Sequence, residues 1–219
     1  PMPLPPLGPE QVSLISLNAE DLFDGTRDTA EEGEPVPDAA EIDARRAKMA
    51  HVIANVLNCP TLIALQEVEH AALLADLSAV LAGPCGFTYA VSHLETPDAR
   101  GIDNALLSDP RRVMVDSVTL RQTCSPVPTD IADRSVNCPA GEQPLFGRPP
   151  LQVTAHVDGA PTTLFVNHFK SKRDGEIETG LERIRQAVYL NGLATELLAA
   201  DPAARIVALG DFNDTDLSP

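Results

Sequence analysis

The chain has 219 residues, 43% of them hydrophobic and 22% charged, and carries a formal net charge of −16. This is length enough for one domain with a real core, and no apolar run approaches a membrane span. The acidity excludes long-range attraction to nucleic acid or anionic membranes, so a phosphate-bearing substrate would need bound cations or a local basic patch to be received.

Residues 1–9 hold five prolines and read as an extended tail or linker, which leaves residues 10–219 as a single domain. No basic segment followed by an apolar run stands at Pro1, so any signal peptide is expected to be gone already. Val12 to Leu17 reads as the first strand, ending at Asn18, and residues 24–37 are polar with Gly25, Gly33, Pro35 and Pro37, as a loop requires. A helix is predicted from an Asp38 cap to about Leu57, with Ile42, Met49, Ile53, Val56 and Leu57 on one face and Arg45, Arg46 and Lys48 on the other. Thr61 to Leu65 is a short apolar strand that delivers Gln66 and Glu67 at its end. The next helix runs from about His70 to Leu81, with Leu73, Leu74, Leu77, Val80 and Leu81 inward and Gly83 closing it.

Phe87 to Ser92, Ile102 to Leu107 and Arg112 to Leu120 read as an antiparallel run of strands. Residues 121–150 form a long loop, and Leu151 to Val157 with Thr162 to His168 make a hairpin around Asp158-Gly159-Ala160-Pro161. A long helix from about Gly180 to Ala200, with Leu181, Ile184, Val188 and Leu197 as its apolar positions, stops before Pro202. The strand that follows from Arg205 ends in Gly210, where the backbone is expected to turn, and presents Asp211 and Asn213. Strands and helices are mixed without the regular βαβ alternation of a doubly wound sheet. The pattern predicts an α+β or layered α/β fold with much antiparallel pairing.

Four cysteines fall as Cys59 and Cys85, then Cys124 and Cys138. The second pair brackets a loop rich in Pro, Thr, Ser and Asp, of the kind that disulfides pin in secreted proteins. Three connectivities are open; Cys59–Cys85 with Cys124–Cys138 is preferred, and four reduced thiols are the alternative. No zinc-type spacing is present.

Several apolar strands end in polar residues: Asn18, Glu67, Asn167-His168, and Asp211 with Asn213. Such ends can converge on one rim of a sheet. There a carboxylate beside an amide suits a hard, oxygen-seeking cation, and an Asp can hold or deprotonate a water. The successive motifs Ser16-Leu17-Asn18, Leu65-Gln66-Glu67, Arg100-Gly101-Ile102-Asp103, Asn167-His168-Phe169-Lys170-Ser171-Lys172 and Gly210-Asp211-Phe212-Asn213 resemble, in that order, those of the endonuclease/exonuclease/phosphatase superfamily with its DNase I-like fold. The likeness is greatest to bacterial secreted nucleases.

The resemblance implies a four-layer sandwich, two β-sheets face to face with helices outside, and divalent-metal-dependent phosphodiester hydrolysis. It makes Glu67 the principal Mg²⁺ ligand, with Asn18 beside it and Glu20 assisting; Mn²⁺ and Ca²⁺ are alternative cations. Asp211 would orient or deprotonate the attacking water, and Asn213 would hold the phosphate. His168, oriented by Asp103, would bond a phosphate oxygen or serve the leaving group. Lys170, Lys172 and Arg183 would receive substrate, with Gln186 on the same helix face as Arg183. The implied partner is nucleic acid, DNA before RNA, for a monomeric secreted or periplasmic enzyme. A phosphoesterase acting on a lipid or small-molecule phosphate is the rival within the fold.

The family pattern continues beyond this point to a strand ending in a Ser-Asp-His motif, whereas six residues follow Asn213 here. The expectation is a domain lacking its C-terminal strands, with little or no activity on its own, and a non-catalytic module is the third reading. Plain structural alternatives stand beside each residue. Asn18 can cap a turn, Glu67 can cap the following helix, Asp211 and Asn213 can form an Asx turn, and Asp103 can be a turn or ion-pair residue. The histidines at 51, 70, 93 and 156 read as surface or packing residues.

Overall fold

Along β2 (Leu62–Val68), Leu62 and Ala64 turn to one side and Ile63 and Leu65 to the other, all essentially buried. A strand that is apolar on both faces needs a layer on each side, and the rest of the fold supplies them. The computed structural model describes residues 3–5, 8, 10–28, 34–96, 98–127, 129, 131 and 136–215. One sheet has the order β1-β2-β4-β3, with β1 at Leu14–Leu22, β3 at Ala90–His93 and β4 at Asp103–Ser108. The second has the order β10-β9-β8-β5, with β5 at Val113–Leu120, β8 at Leu151–Val157, β9 at Ala160–His168 and β10 at Arg205–Asp211. β1 with β2 and β9 with β10 run parallel; the other pairs in these sheets are antiparallel.

Leu62, Ala64, Leu106, Leu151, Val153, Leu164, Val166 and Leu209 fill the space between the sheets. On the outer face of the first sheet, Ile63, Leu65 and Leu107 meet Met49 and Ile53, together with Leu74 and Leu77 from the helix α2 (Ala71–Cys85). On the outer face of the second sheet, Phe165 packs with Phe146, Phe169 and the Leu190 and Leu193 of α3 (Glu176–Ala200). Each fully buried Leu or Phe in these layers contributes about 1.5–3 kcal/mol. The result is the helix–sheet–sheet–helix sandwich of the DNase I-like fold.

Local signals account for most element boundaries. Asp38 caps α1 (Ala39–His51) in a reciprocal box with Glu41, but the helix does not continue regularly to Leu57: one π-helical turn, Val52–Val56, follows it. α2 passes through Gly83 and Pro84 and closes at Gly86, whose φ of 74° is the left-handed geometry that a helix C-terminus favours in glycine. Val80, expected inward, is exposed. Asp158 and Gly159 both have positive φ, the requirement of a two-residue hairpin turn whose twist matches its strands.

The long connection from residue 121 to 150 holds a short ladder, β6 (Cys124–Ser125) with β7 (Gln143–Pro144). Both disulfides pair as preferred, Cys59 with Cys85 and Cys124 with Cys138. Of the proline-rich segment, five positions fall outside the described residues, and the Leu4 N–H donates to the Val56 carbonyl. No helix among the described residues is long and apolar enough to cross a membrane.

The largest departure from the sequence pattern is α3. Leu181, Ile184 and Val188 are exposed, and the first half of the helix turns Thr179, Glu182, Arg183 and Gln186 inward. The physical reason is the segment beneath it, where backbone groups need partners. Gln186 Oε1 accepts from the Lys170 N–H, Gln186 Nε2 donates to the Leu145 carbonyl, and Arg183 Nη1 donates to Thr179 Oγ1.

Candidate active site

The two parallel pairs carry their C-terminal ends to one rim. Asn18 stands opposite Gln66, next to Glu67, and Asp211 stands opposite His168. The register of β1 breaks between Asn18 and Leu22 and that of β2 with β4 between Gln66 and Val68, and Glu20, Asp21 and Glu67 all have positive φ. A left-handed non-glycine residue costs about 1–3 kcal/mol and persists only where its surroundings enforce it. The bulges release Glu67 from strict alternation and let it meet groups from β1.

Four side chains converge there. Asn18 Nδ2 donates to Glu67 Oε1 and to Asp211 Oδ2, each at 3.1 Å, and so bridges the two sheets. The amide is itself oriented, because Asn18 Oδ1 accepts from the Glu20 N–H at 2.8 Å. The second oxygen of Glu67 accepts from the Asp21 N–H at 3.0 Å. His168 Nε2 lies 3.7 Å from Glu67 Oε1 and 4.0 Å from Asp211 Oδ2, while its Nδ1 is buried without a partner. Burial, reinforced by the positive charge of Arg148, lowers the pKa of His168 to about 4 in spite of the two carboxylates. At neutral pH the ring is uncharged, one nitrogen donating and the other accepting.

Asp211 and Asn213 do form a local turn, with the Asn213 N–H donating to Asp211 Oδ1 at 2.8 Å. That turn uses one carboxylate oxygen and leaves the other facing Asn18. Asn213 has a φ of 50°, and its Nδ2 donates to the Phe169 carbonyl, joining the end of β10 to the end of β9. Gly210 lies within β10 rather than after it. Its φ is 137°, and a Cβ there would sit 2.0 Å from the Asn167 carbonyl oxygen, so the close approach of β10 to β9 is what demands glycine.

The remaining predicted residues are placed differently. Asp103 does not orient His168. Its Oδ1 accepts from Thr96, and its Oδ2 lies 3.1 Å from His93 Nε2 without the alignment of a hydrogen bond. Glu20 is exposed, and its carboxylate makes no hydrogen bond or ion pair among the described residues. Lys170 pairs with Asp174, Lys172 with Glu176 and Asp214, and Arg183 with Asp214, so these cations are largely neutralised by neighbouring acids. The positive charge felt at His168 comes instead from Arg148 and Arg100, which pair with Asp98 and Asp21 respectively. Arg148 escaped sequence reasoning because it lies in the long loop; an arginine just before two prolines and a buried strand is a weak signal.

The match to a family profile covers residues 13–218 and is to the Endonuclease/Exonuclease/phosphatase family. The chain belongs to this family. Among solved structures, a zebrafish (D. rerio) TDP2 humanized by 14 mutations superposes with a TM-score of 0.58 at 18% identity, covering 94% of this chain and 63% of that one. TDP2 from Caenorhabditis elegans gives 0.58 at 18%, with 95% and 50% coverage. A mannosyl-6-phosphatase from Bacteroides thetaiotaomicron gives 0.54 at 14%, with 93% and 66% coverage. The chain thus spans about half to two thirds of these structures' lengths, and at such identities the likeness is one of fold. No curated protein sequence matches it.

Proposed function

We propose that the protein hydrolyses phosphodiesters with the help of a divalent cation, acting on DNA outside the cytoplasm. The observation that carries this reading is the convergence of Glu67, Asn18, Asp211 and His168 from four strands. The donor set fits Mg²⁺: a half-buried Glu67 carboxylate held by two N–H donors, with Asn18 and Asp211 beside it, leaves room for the waters that Mg²⁺ keeps. Mn²⁺ and Ca²⁺ accept the same oxygen donors. When bound, such a cation supplies charge neutralisation at the phosphate and the leaving oxygen.

The chain's own residues do the rest. Asp211 holds the attacking water and receives its proton, kept in orientation by Asn18 and by the Asn213 N–H. His168, neutral at the working pH, donates a hydrogen bond to a phosphate oxygen. Arg148 and Arg100, like Lys170 and Lys172, are available to substrate by exchanging a carboxylate partner for phosphate. The two disulfides support an extracytoplasmic enzyme. A zebrafish TDP2 complexed with single strand DNA product shares the fold and supports DNA as substrate.

A second reading, a phosphatase acting on a small phosphate ester, is favoured by the net charge of −16 and by the fold neighbour that is a mannosyl-6-phosphatase. Plasmid nicking in Mg²⁺ against turnover of a sugar phosphate separates the two. The expected result is nicking that EDTA stops. Glu67→Gln should abolish it without loss of the folded state, and His168→Ala should slow it by about 10²–10⁴-fold. Turnover of the sugar phosphate with intact plasmid would replace the first reading by the second; a wild-type rate in Glu67→Gln would remove Glu67 from the site.

A further inference from the structure

Two residues beyond Glu67, the same strand end carries a second acidic corner that the proposed chemistry does not use. One ligand atom each from Asp24, Glu69 and His70 lie within 4.8 Å of one another. Glu69 is only 1% exposed, and while its Oε2 accepts from the Asp24 N–H at 2.6 Å, its Oε1 is buried with no partner at all. A buried carboxylate oxygen without a donor forfeits its hydration for nothing in return, unless a cation completes it. The surroundings sharpen the point. Asp28 and Glu95 flank His70 at 2.7 and 3.3 Å, Glu34 lies buried nearby, and no lysine or arginine pairs with Asp24, Glu69 or Glu95 among the described residues.

We infer that Asp24, Glu69 and His70 bind a divalent transition cation of the Zn²⁺ class, separate from the cation at Glu67. Two carboxylates and one imidazole form a mixed oxygen–nitrogen set. Imidazole favours Zn²⁺ over Mg²⁺ or Ca²⁺, which prefer oxygen alone. Either ring nitrogen of His70 can turn to the metal while the other keeps a carboxylate, Asp28 or Glu95, and a carboxylate behind a metal-bound imidazole is the usual way such a ring is held. The remaining coordination positions go to water or to Asp28.

The three residues come from the segment just after β1, the position that follows β2 and the N-cap of α2. A cation there ties these three elements together directly behind the bulge that holds Glu67, so its role is to stabilise the rim rather than to act on substrate.

The test is Zn²⁺ binding by the Glu67→Gln variant, in which the other cation site is disabled, followed by calorimetry and by metal analysis after gel filtration. One Zn²⁺ per chain is expected, with Ca²⁺ failing to compete. Adding His70→Gln or Glu69→Gln should weaken binding at least 10-fold, whereas His156→Gln should leave it unchanged. Zn²⁺ should also raise the melting temperature of Glu67→Gln and not that of the same variant carrying His70→Gln. Should Glu69→Gln fail to fold, the half-exposed His70 provides the decisive variant. A folded Glu67→Gln protein that takes up no Zn²⁺, or equal affinity with and without His70, would overturn the inference. Because every readout is binding or stability in a protein already disabled at Glu67, failure here leaves the phosphodiesterase reading intact, and the reverse.

Discussion

Single residues here carry constraints that their type alone does not reveal. Gly210 is conspicuous as the glycine before Asp211, yet its necessity comes from the neighbouring strand: a methyl group would collide with the Asn167 backbone. Gly210→Ala should therefore destabilise the protein by about 3 kcal/mol or more. Gly192, with open space around its Cβ position inside α3, should gain about 0.5–1 kcal/mol from the same change. Urea denaturation of both variants checks the contrast, and a loss below about 1 kcal/mol at Gly210 would mean that β9 and β10 separate easily.

Asp103 is a second case. Burial raises its pKa above 3.8 despite the hydrogen bonds from Thr96 and the nearness of His93. A carboxyl whose folded pKa is raised binds its proton more tightly in the folded state, so stability is lost as pH climbs from about 4 through the folded value. Asp103→Asn stays neutral and can still accept from Thr96. Relative to wild type it should gain stability towards neutral pH and lose that advantage below about pH 4, as read from denaturation midpoints across the range; a difference that does not change with pH would refute the assignment.

At the scale of elements, α3 shows where periodicity misleads. The apolar positions Leu181, Ile184 and Val188 share a helix face, and the pattern alone assigns that face to the core. The structure buries the opposite face because Gln186 and Arg183 satisfy backbone and side-chain groups around Lys170, Leu145 and Asp214, which apolar side chains cannot do. From Tyr189 onward the helix does meet the aromatic cluster of Phe146, Phe165 and Phe169, through Tyr189, Leu190, Leu193 and Leu197. Ile184→Gln is thus expected to change stability by no more than about 0.5 kcal/mol, and Leu193→Ala to cost about 2–4 kcal/mol. Thermal melts of the pair settle which face the helix buries. The strands were more legible, because a period of two in β8 or a doubly apolar β2 has few alternative uses.

For the molecule as a whole, the disulfides close loops of different length. Cys59 and Cys85 are 26 residues apart and join the end of the π-helical turn to the end of α2; Cys124 and Cys138 are 14 apart and close the long connection. Loop-closure entropy makes each worth about 3 kcal/mol, with the longer loop contributing about 0.5 kcal/mol more. Replacing both cysteines of one pair by alanine should lower the melting temperature in that order, and a larger loss from the shorter loop would point to packing of the 121–150 connection instead of chain entropy. Arg148 and Arg100 bring local positive charge to a rim on a chain of net −16, and only side chains folded around the site can do that.

The order of polar residues at strand ends and the layered α/β class were readable from the residues, since each rests on local pattern or on motifs in sequence, whereas the cysteine pairing was a preference among three that the structure decided. Which polar group meets which was not. Asn18 reaches Glu67 across 49 residues and Asp211 across 193, Asp103 turns to His93 rather than His168, and Lys170 and Lys172 find acids of their own. Such partners are decided by sheet register and by bulges such as that at Glu67, because a single added residue redirects a side chain that periodicity would aim elsewhere.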